Sequence, residues 1–219
     1  MKLLPNVFCP TAVLAIALAA LAVSPVQAND IIKEWATVKP PEVPELKPAT
    51  IDSKTTALLI LDLMTVNCGI RPRCVATVPN VKKLLDAARA HNMMVFYTMV
   101  GTNPKPEGMV DQVLAPHDGE EWVVRGGADK FISSNLEQRL KDKGIKTVIV
   151  TGTSAQGSVV GTSNGAVQRG YRAVVPVDEM SAEDSYNEQY AAWHLYKGGP
   201  VNLTEKVTLT RSDLIKFAN

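Results

Sequence analysis

Histidine and cysteine are scarce in this chain: 219 residues carry three of each. His91, His117 and His194 stand far apart, and no further Cys or His lies near any of them at metal-ligand spacing, so we expect no metal site. An excess of one charge is also missing. The 23 Lys and Arg face 22 Asp and Glu, for a net charge of +1. No basic run is dense enough to track a phosphate backbone, which excludes nucleic acid as a partner. Beyond residue 28 no apolar stretch approaches membrane length. What remains is an ordinary globular composition, 46% hydrophobic and 21% charged, long enough for one well-buried core.

The first 28 residues differ in kind. Lys2 supplies a small positive start and residues 11–23 are almost wholly apolar. Pro25 and Val26-Gln27-Ala28 then form an A-x-A-like cleavage site before Asn29. That apolar core is too short to span a bilayer comfortably. We read residues 1–28 as a secretory signal peptide. The mature protein is then expected in the periplasm or outside the cell, with no stable membrane insertion. Two cysteines remain after cleavage, Cys68 and Cys74, bracketing Gly69-Ile70-Arg71-Pro72-Arg73. Export favours a disulfide between them, with two free thiols as the alternative. Arg71 and Arg73 in that loop could meet an anionic substrate, although loop arginines more often serve solvation.

Residues 29–55, with Pro40, Pro41, Pro44 and Pro48, read as an extended arm. From residue 56 to 219 the pattern is that of one domain. Continuous apolar runs at 57–61, 93–99, 122–124, 147–150, 173–177 and 207–210 mark strands buried on both faces. Between them lie helical stretches. One opens at Pro79 with Val81, Leu84, Leu85 and Ala88 on one face, and others cover 135–143, 157–169 and about 185–195. Such alternation predicts an α/β fold of three layers: a mostly parallel six-stranded sheet with helices on both faces. Ligands in such sheets bind at the carboxyl ends of the strands, where the strand order reverses.

Three stretches follow strands directly. Asp62 ends the first one behind five apolar residues, a partly desolvated position suited to proton transfer or, equally, to capping a turn. Residues 151–158, Thr-Gly-Thr-Ser-Ala-Gln-Gly-Ser, join a strand to a helix through small residues. The free N–H groups of the helix start could hold an oxyanion there. Arg125 follows the short third strand, and Lys130 stands beside Phe131 after Gly126-Gly127-Ala128-Asp129. Tyr190 and Trp193 on the last helix could line a pocket or a subunit contact, with core packing the expected role.

Asp62, Phe131, Val150-Thr151-Gly152 with its small-residue turn, and Gln168-Arg169-Gly170-Tyr171-Arg172-Ala173-Val174-Val175-Pro176-Val177-Asp178 together resemble the isochorismatase-like cysteine hydrolases over roughly residues 55–215. The resemblance implies an Asp, Lys, Cys catalytic triad, a cis peptide contributing to an oxyanion hole, no cofactor, a small-molecule substrate and a homo-oligomer. Asp62 takes the aspartate position. The lysine position, six residues before Phe131, falls on Arg125, while the chemistry favours Lys130, since an amine can release a proton and a guanidinium cannot. The cysteine position is Ser158. The cis peptide maps to Thr153-Ser154, with Gly157 completing the substrate-binding turn. Family members acting on isochorismate also lack the cysteine and use the aspartate with water. The chain is therefore expected to be an atypical hydrolase of a C–N, C–O or ester bond, with a catalytically inactive ligand- or partner-binding protein as the alternative.

Overall fold

The computed structural model describes residues 30–100, 105–124, 127–197 and 203–218. Residues 1–28, read above as a signal peptide, lie outside these, as does Arg125. The chain divides into two compact units, residues 1–40 and 41–219. In the first, the described part holds a single-turn helix, α1 (Ile31–Glu34), capped by Asp30, whose side chain accepts from the Lys33 N–H.

The second unit is built on seven parallel strands. They are β2 (Thr56–Leu61), β3 (Met94–Met99), β4 (Glu121–Val124), β5 (Thr147–Thr153), β6 (Arg172–Pro176), β7 (Met180–Ser181) and β8 (Val207–Thr210). Their order is β4-β3-β2-β5-β6-β8, with β7 added beside the end of β5. The six runs read from apolarity are all strands of this sheet. Two further strands, β1 (Ala49–Ile51) and β9 (Ile215–Phe217), pair with each other in a separate sheet, so the arm expected over 29–55 carries a strand of its own.

Alternate residues of the central strands feed two cores. Leu59, Leu61, Val148 and Val150 pack with α4 (Leu136–Asp142), α5 (Val160–Gln168) and α6 (Ser185–Lys197). Leu58, Ile60, Val95 and Ile149 pack on the opposite face against α3 (Val78–Ala90). That is the three-layer arrangement, and it explains why these strands are apolar without alternation. Two short helices complete the unit, α2 (Pro72–Val75) and α7 (Leu203–Lys206). Among the described residues no helix is long and apolar enough to cross a membrane.

Strand order reverses between β2 and β5, since β3 and β4 lie to one side and β6 and β8 to the other. Leu61 and Gly152 face each other at that point. Gly152 has φ 110°, and a Cβ there would stand 2.1 Å from the Leu61 carbonyl oxygen. Only glycine permits both that backbone conformation and that approach.

Tyr190 and Trp193 do not enter the core. They are 42% and 38% exposed, and Trp193 helps line an apolar groove of about 210 Å³ with Val43, Pro44 and Val177. α6 turns Ala191 and Leu195 inward instead.

Candidate active site

Asp62 leaves β2 with φ 56°, in the left-handed region that non-glycine residues visit at a cost of about 1–3 kcal/mol. Both backbone groups hold it there: its N–H donates to the Thr98 carbonyl at 3.1 Å, and its carbonyl accepts from the Met64 N–H at 2.8 Å. The side chain is turned into the crevice at the strand-order reversal. Its Oδ1 accepts a 2.6 Å hydrogen bond from the Thr98 hydroxyl. Its Oδ2 is shared, accepting from Lys130 Nζ at 2.5 Å and from Ser158 Oγ at 2.9 Å. Asp62, Lys130 and Ser158 are only 3%, 1% and 9% exposed. Water is largely excluded, so charge interactions act at reduced screening.

Lys130 reaches this position because the loop before it is pressed against α5. Gly161 and Gly165 make the contact surface: a Cβ on Gly161 would meet the Ala128 backbone at 2.8 Å, and one on Gly165 would meet Asp129 Oδ1 at 2.4 Å. Between them, the Thr162 hydroxyl donates to the Ala128 carbonyl and accepts from the Lys130 N–H, both at 3.2 Å. Asp129 accepts from the Phe131 N–H at 2.9 Å and from Arg169 Nη1 at 3.3 Å.

Ser158 stands in a π-helical turn, Ala155–Val159, that precedes α5 and follows a cis peptide between Thr153 and Ser154. The helix expected over 157–169 thus begins earlier, with a wider turn. Gly157 allows the turn to close, since a Cβ there would lie 2.7 Å from Ser154 Oγ. In this turn the Gly157 and Val159 N–H groups donate to the Ser154 carbonyl at 3.2 and 3.1 Å, while those of Ala155 and Gln156 have no carbonyl one turn earlier to bond, as at any helix start. Thr153 is tied down by its hydroxyl, which donates to the Ser181 carbonyl in β7 at 3.2 Å.

Cys68 and Cys74 form a disulfide, Cα atoms 5.2 Å apart and both fully buried, in the loop that follows Asp62. Arg73 is held by Glu188 at the start of α6, with Arg73 Nε donating to Glu188 Oε1 at 3.0 Å. The histidines lie elsewhere. His91 closes α3, its Nδ1 2.8 Å from the Ala87 carbonyl oxygen, and His194 Nε2 is 3.0 Å from Asn164 Nδ2. Among the described residues no group of three or more His, Cys, Asp or Glu could hold a metal ion.

The sequence reading passed over two buried polar residues. Thr98 clasps Asp62 across the β2–β3 pairing. Glu179, just before β7, is fully buried with neither carboxyl oxygen hydrogen-bonded among the described residues. Burial, reinforced by the Asp178 charge, raises its pKa well above the ordinary carboxylate value. The folded state therefore keeps this proton after the unfolded chain has lost it near pH 4.5. Folding stability should fall by about 1.4 kcal/mol for each pH unit above that point, until the folded-state pKa is reached. In Glu179→Gln this contribution to the slope should vanish, leaving a flatter plot of urea midpoint against pH. Equal slopes in the two proteins would mean that Glu179 is ionised in the fold.

Comparison with known proteins bears on the family and the fold. The isochorismatase domain model matches residues 56–206, from the first residue of β2 to the last of α7. An N-carbamoylsarcosine amidase from Arthrobacter sp. is 31% identical over 169 residues, covering 64% of this chain. The chain spans 63% of that amidase's length. A secreted isochorismatase effector from Verticillium dahliae is 25% identical over 149 residues, 63% of this chain and 78% of that protein. The cysteine hydrolase of Pseudomonas syringae pv. phaseolicola shares the fold with a TM-score of 0.66 at 20% identity, over 77% of this chain and 94% of that one. With a matching domain model over more than half its length, this chain belongs to the isochorismatase family of hydrolases.

Proposed function

We propose that this chain is an exported hydrolase that cleaves a small-molecule C–N bond of the amide or ureido type, with Asp62 as acid and base and no cysteine nucleophile. The observation that carries this reading is the sharing of Asp62 Oδ2 between Lys130 and Ser158 in a buried crevice. The likeness to an amidase supports a C–N bond over a C–O bond or an ester. The signal-like first 28 residues support export, and so does the likeness to an effector described as secreted.

In this reading a water molecule attacks the substrate carbonyl carbon while Oδ2 takes its proton. The carbonyl oxygen gains charge and is met by the N–H groups of the 153–158 turn, with Thr153, Ser154 and Gly157 shaping the pocket. Collapse of the tetrahedral adduct breaks the C–N bond, and Asp62 returns the proton to the departing nitrogen. Acid and amine are the products, and the carboxylate is regenerated. Lys130 pairs with Asp62 and holds it steady. Ser158 orients the water through the bond it already makes to Oδ2.

A second reading rests on Ser158 itself, a hydroxyl where cysteine hydrolases hold a thiol: the chain binds a ligand without turning it over. A panel of primary amides, N-carbamoyl amino acids, simple esters and vinyl ethers decides between the two. Release of ammonia or amine from the first two classes is the expected result. Thermal stabilisation by those compounds without any product would support the binding protein instead.

A further inference from the structure

We infer that Arg71 is an anion receptor at the mouth of this site, so that the substrate is an amide or ureido compound bearing a carboxylate. The inference rests on the proposed hydrolytic reading of the site and adds its specificity. The loop after Asp62 starts at the end of β2, and α2 at its far end packs against β7, which pairs with the end of β5. Residues 63–75 therefore run along the carboxyl edge of the sheet, past the crevice between β2 and β5. Arg71 immediately precedes α2.

The segment is stiffened at every step. The Asn67 side-chain oxygen accepts from the N–H groups of Met64 at 3.2 Å and Cys68 at 2.7 Å. Thr65 is bound through its N–H to the Gly108 carbonyl and through its hydroxyl to the Met109 carbonyl. The disulfide closes the five-residue span Gly69-Ile70-Arg71-Pro72-Arg73 that contains Arg71. Arg71 itself is half-buried, its Nε donating to the Asn67 carbonyl at 2.6 Å. That anchor aims the guanidinium and leaves both terminal nitrogens without a partner among the described residues. Arg73, two residues on, is already consumed by Glu188.

A fixed fork with two free N–H₂ groups is what bidentate recognition of a carboxylate needs. Because the bracing is made before a ligand arrives, little ordering remains for the ligand to impose. Asp62 and Lys130 pair with each other, so Asp62 is not the ion-pair partner of Arg71.

The test uses unreactive ketones, which keep the carbonyl but offer no C–N bond. Levulinate carries a carboxylate, and 5-hydroxypentan-2-one is its neutral counterpart. On the mature wild-type chain, calorimetry should show levulinate binding at least about tenfold more tightly, with the preference shrinking as salt is raised. Arg71→Gln should lose that tenfold and keep the alcohol's affinity, while Arg71→Lys should fall between. Thermal melting of each variant checks that the fold is retained. Equal binding of the two ketones by the wild type would overturn the inference, as would no binding of levulinate or undiminished binding by Arg71→Gln. Since no turnover is measured here, failure of the hydrolase reading shows separately, as absence of product in the substrate panel.

Discussion

Asp62→Asn is expected to reduce turnover about a hundredfold to ten-thousandfold, the range that a positioned acid/base group contributes. Asparagine is nearly isosteric, but its single carbonyl oxygen can accept either from Thr98, which bonds Oδ1, or from Lys130 and Ser158, which bond Oδ2, and not from both sides. It can neither take a proton from water nor give one to a leaving nitrogen. The effect should fall on kcat more than on KM, because the lost interaction is made in the transition state. Steady-state kinetics on any substrate found in the panel measures this, with circular dichroism confirming the fold. Unchanged kcat in this variant would remove Asp62 from the chemistry.

Lys130→Met is expected to cost both activity and stability. Removing one partner of a buried ion pair leaves the other charge uncompensated, typically a loss of roughly 3–5 kcal/mol. The hydrogen bonds from Thr98 and Ser158 to Asp62 should keep the loss toward the lower end. The double variant Asp62→Asn/Lys130→Met carries no unpaired charge and should recover most of the urea midpoint while remaining inactive. That pattern distinguishes an electrostatic coupling from a packing role for the lysine stem. If the double variant is as unstable as Lys130→Met alone, the methylene contacts matter more than the charge. A fully active Lys130→Met would contradict the site as described.

The position of Asp62 was legible because a run of five buried apolar residues can end only at a sheet edge, and an acid there stands out. The small residues at 151–158 were legible for a similar reason. Lys130 was harder. The position in the family pattern pointed to Arg125 and the chemistry to Lys130, and what brings Lys130 to Asp62 is a contact across the fold. The faces of Gly161 and Gly165 and the hydroxyl of Thr162 grip residues 128–130 from α5, more than thirty residues away in sequence. No local pattern announces that grip. Thr98 was invisible because its role depends on strand register: it becomes the partner of Asp62 only once Leu61 is set opposite it. α6 misled because apolar residues lie on both of its sides. Nothing in the spacing says that Ala191 and Leu195, and not Tyr190 and Trp193, turn inward.

Gly152 has a consequence for the whole crevice. Every other amino acid would bring a carbon into the Leu61 carbonyl and wedge the two central strands apart. Asp62 is the very next residue after Leu61, and the turn bearing Ser158 begins just beyond Gly152. The reach from carboxylate to hydroxyl is thus governed by an atom that is missing. Adding a single methyl there would leave every reacting group in the chain yet separate the two that must meet.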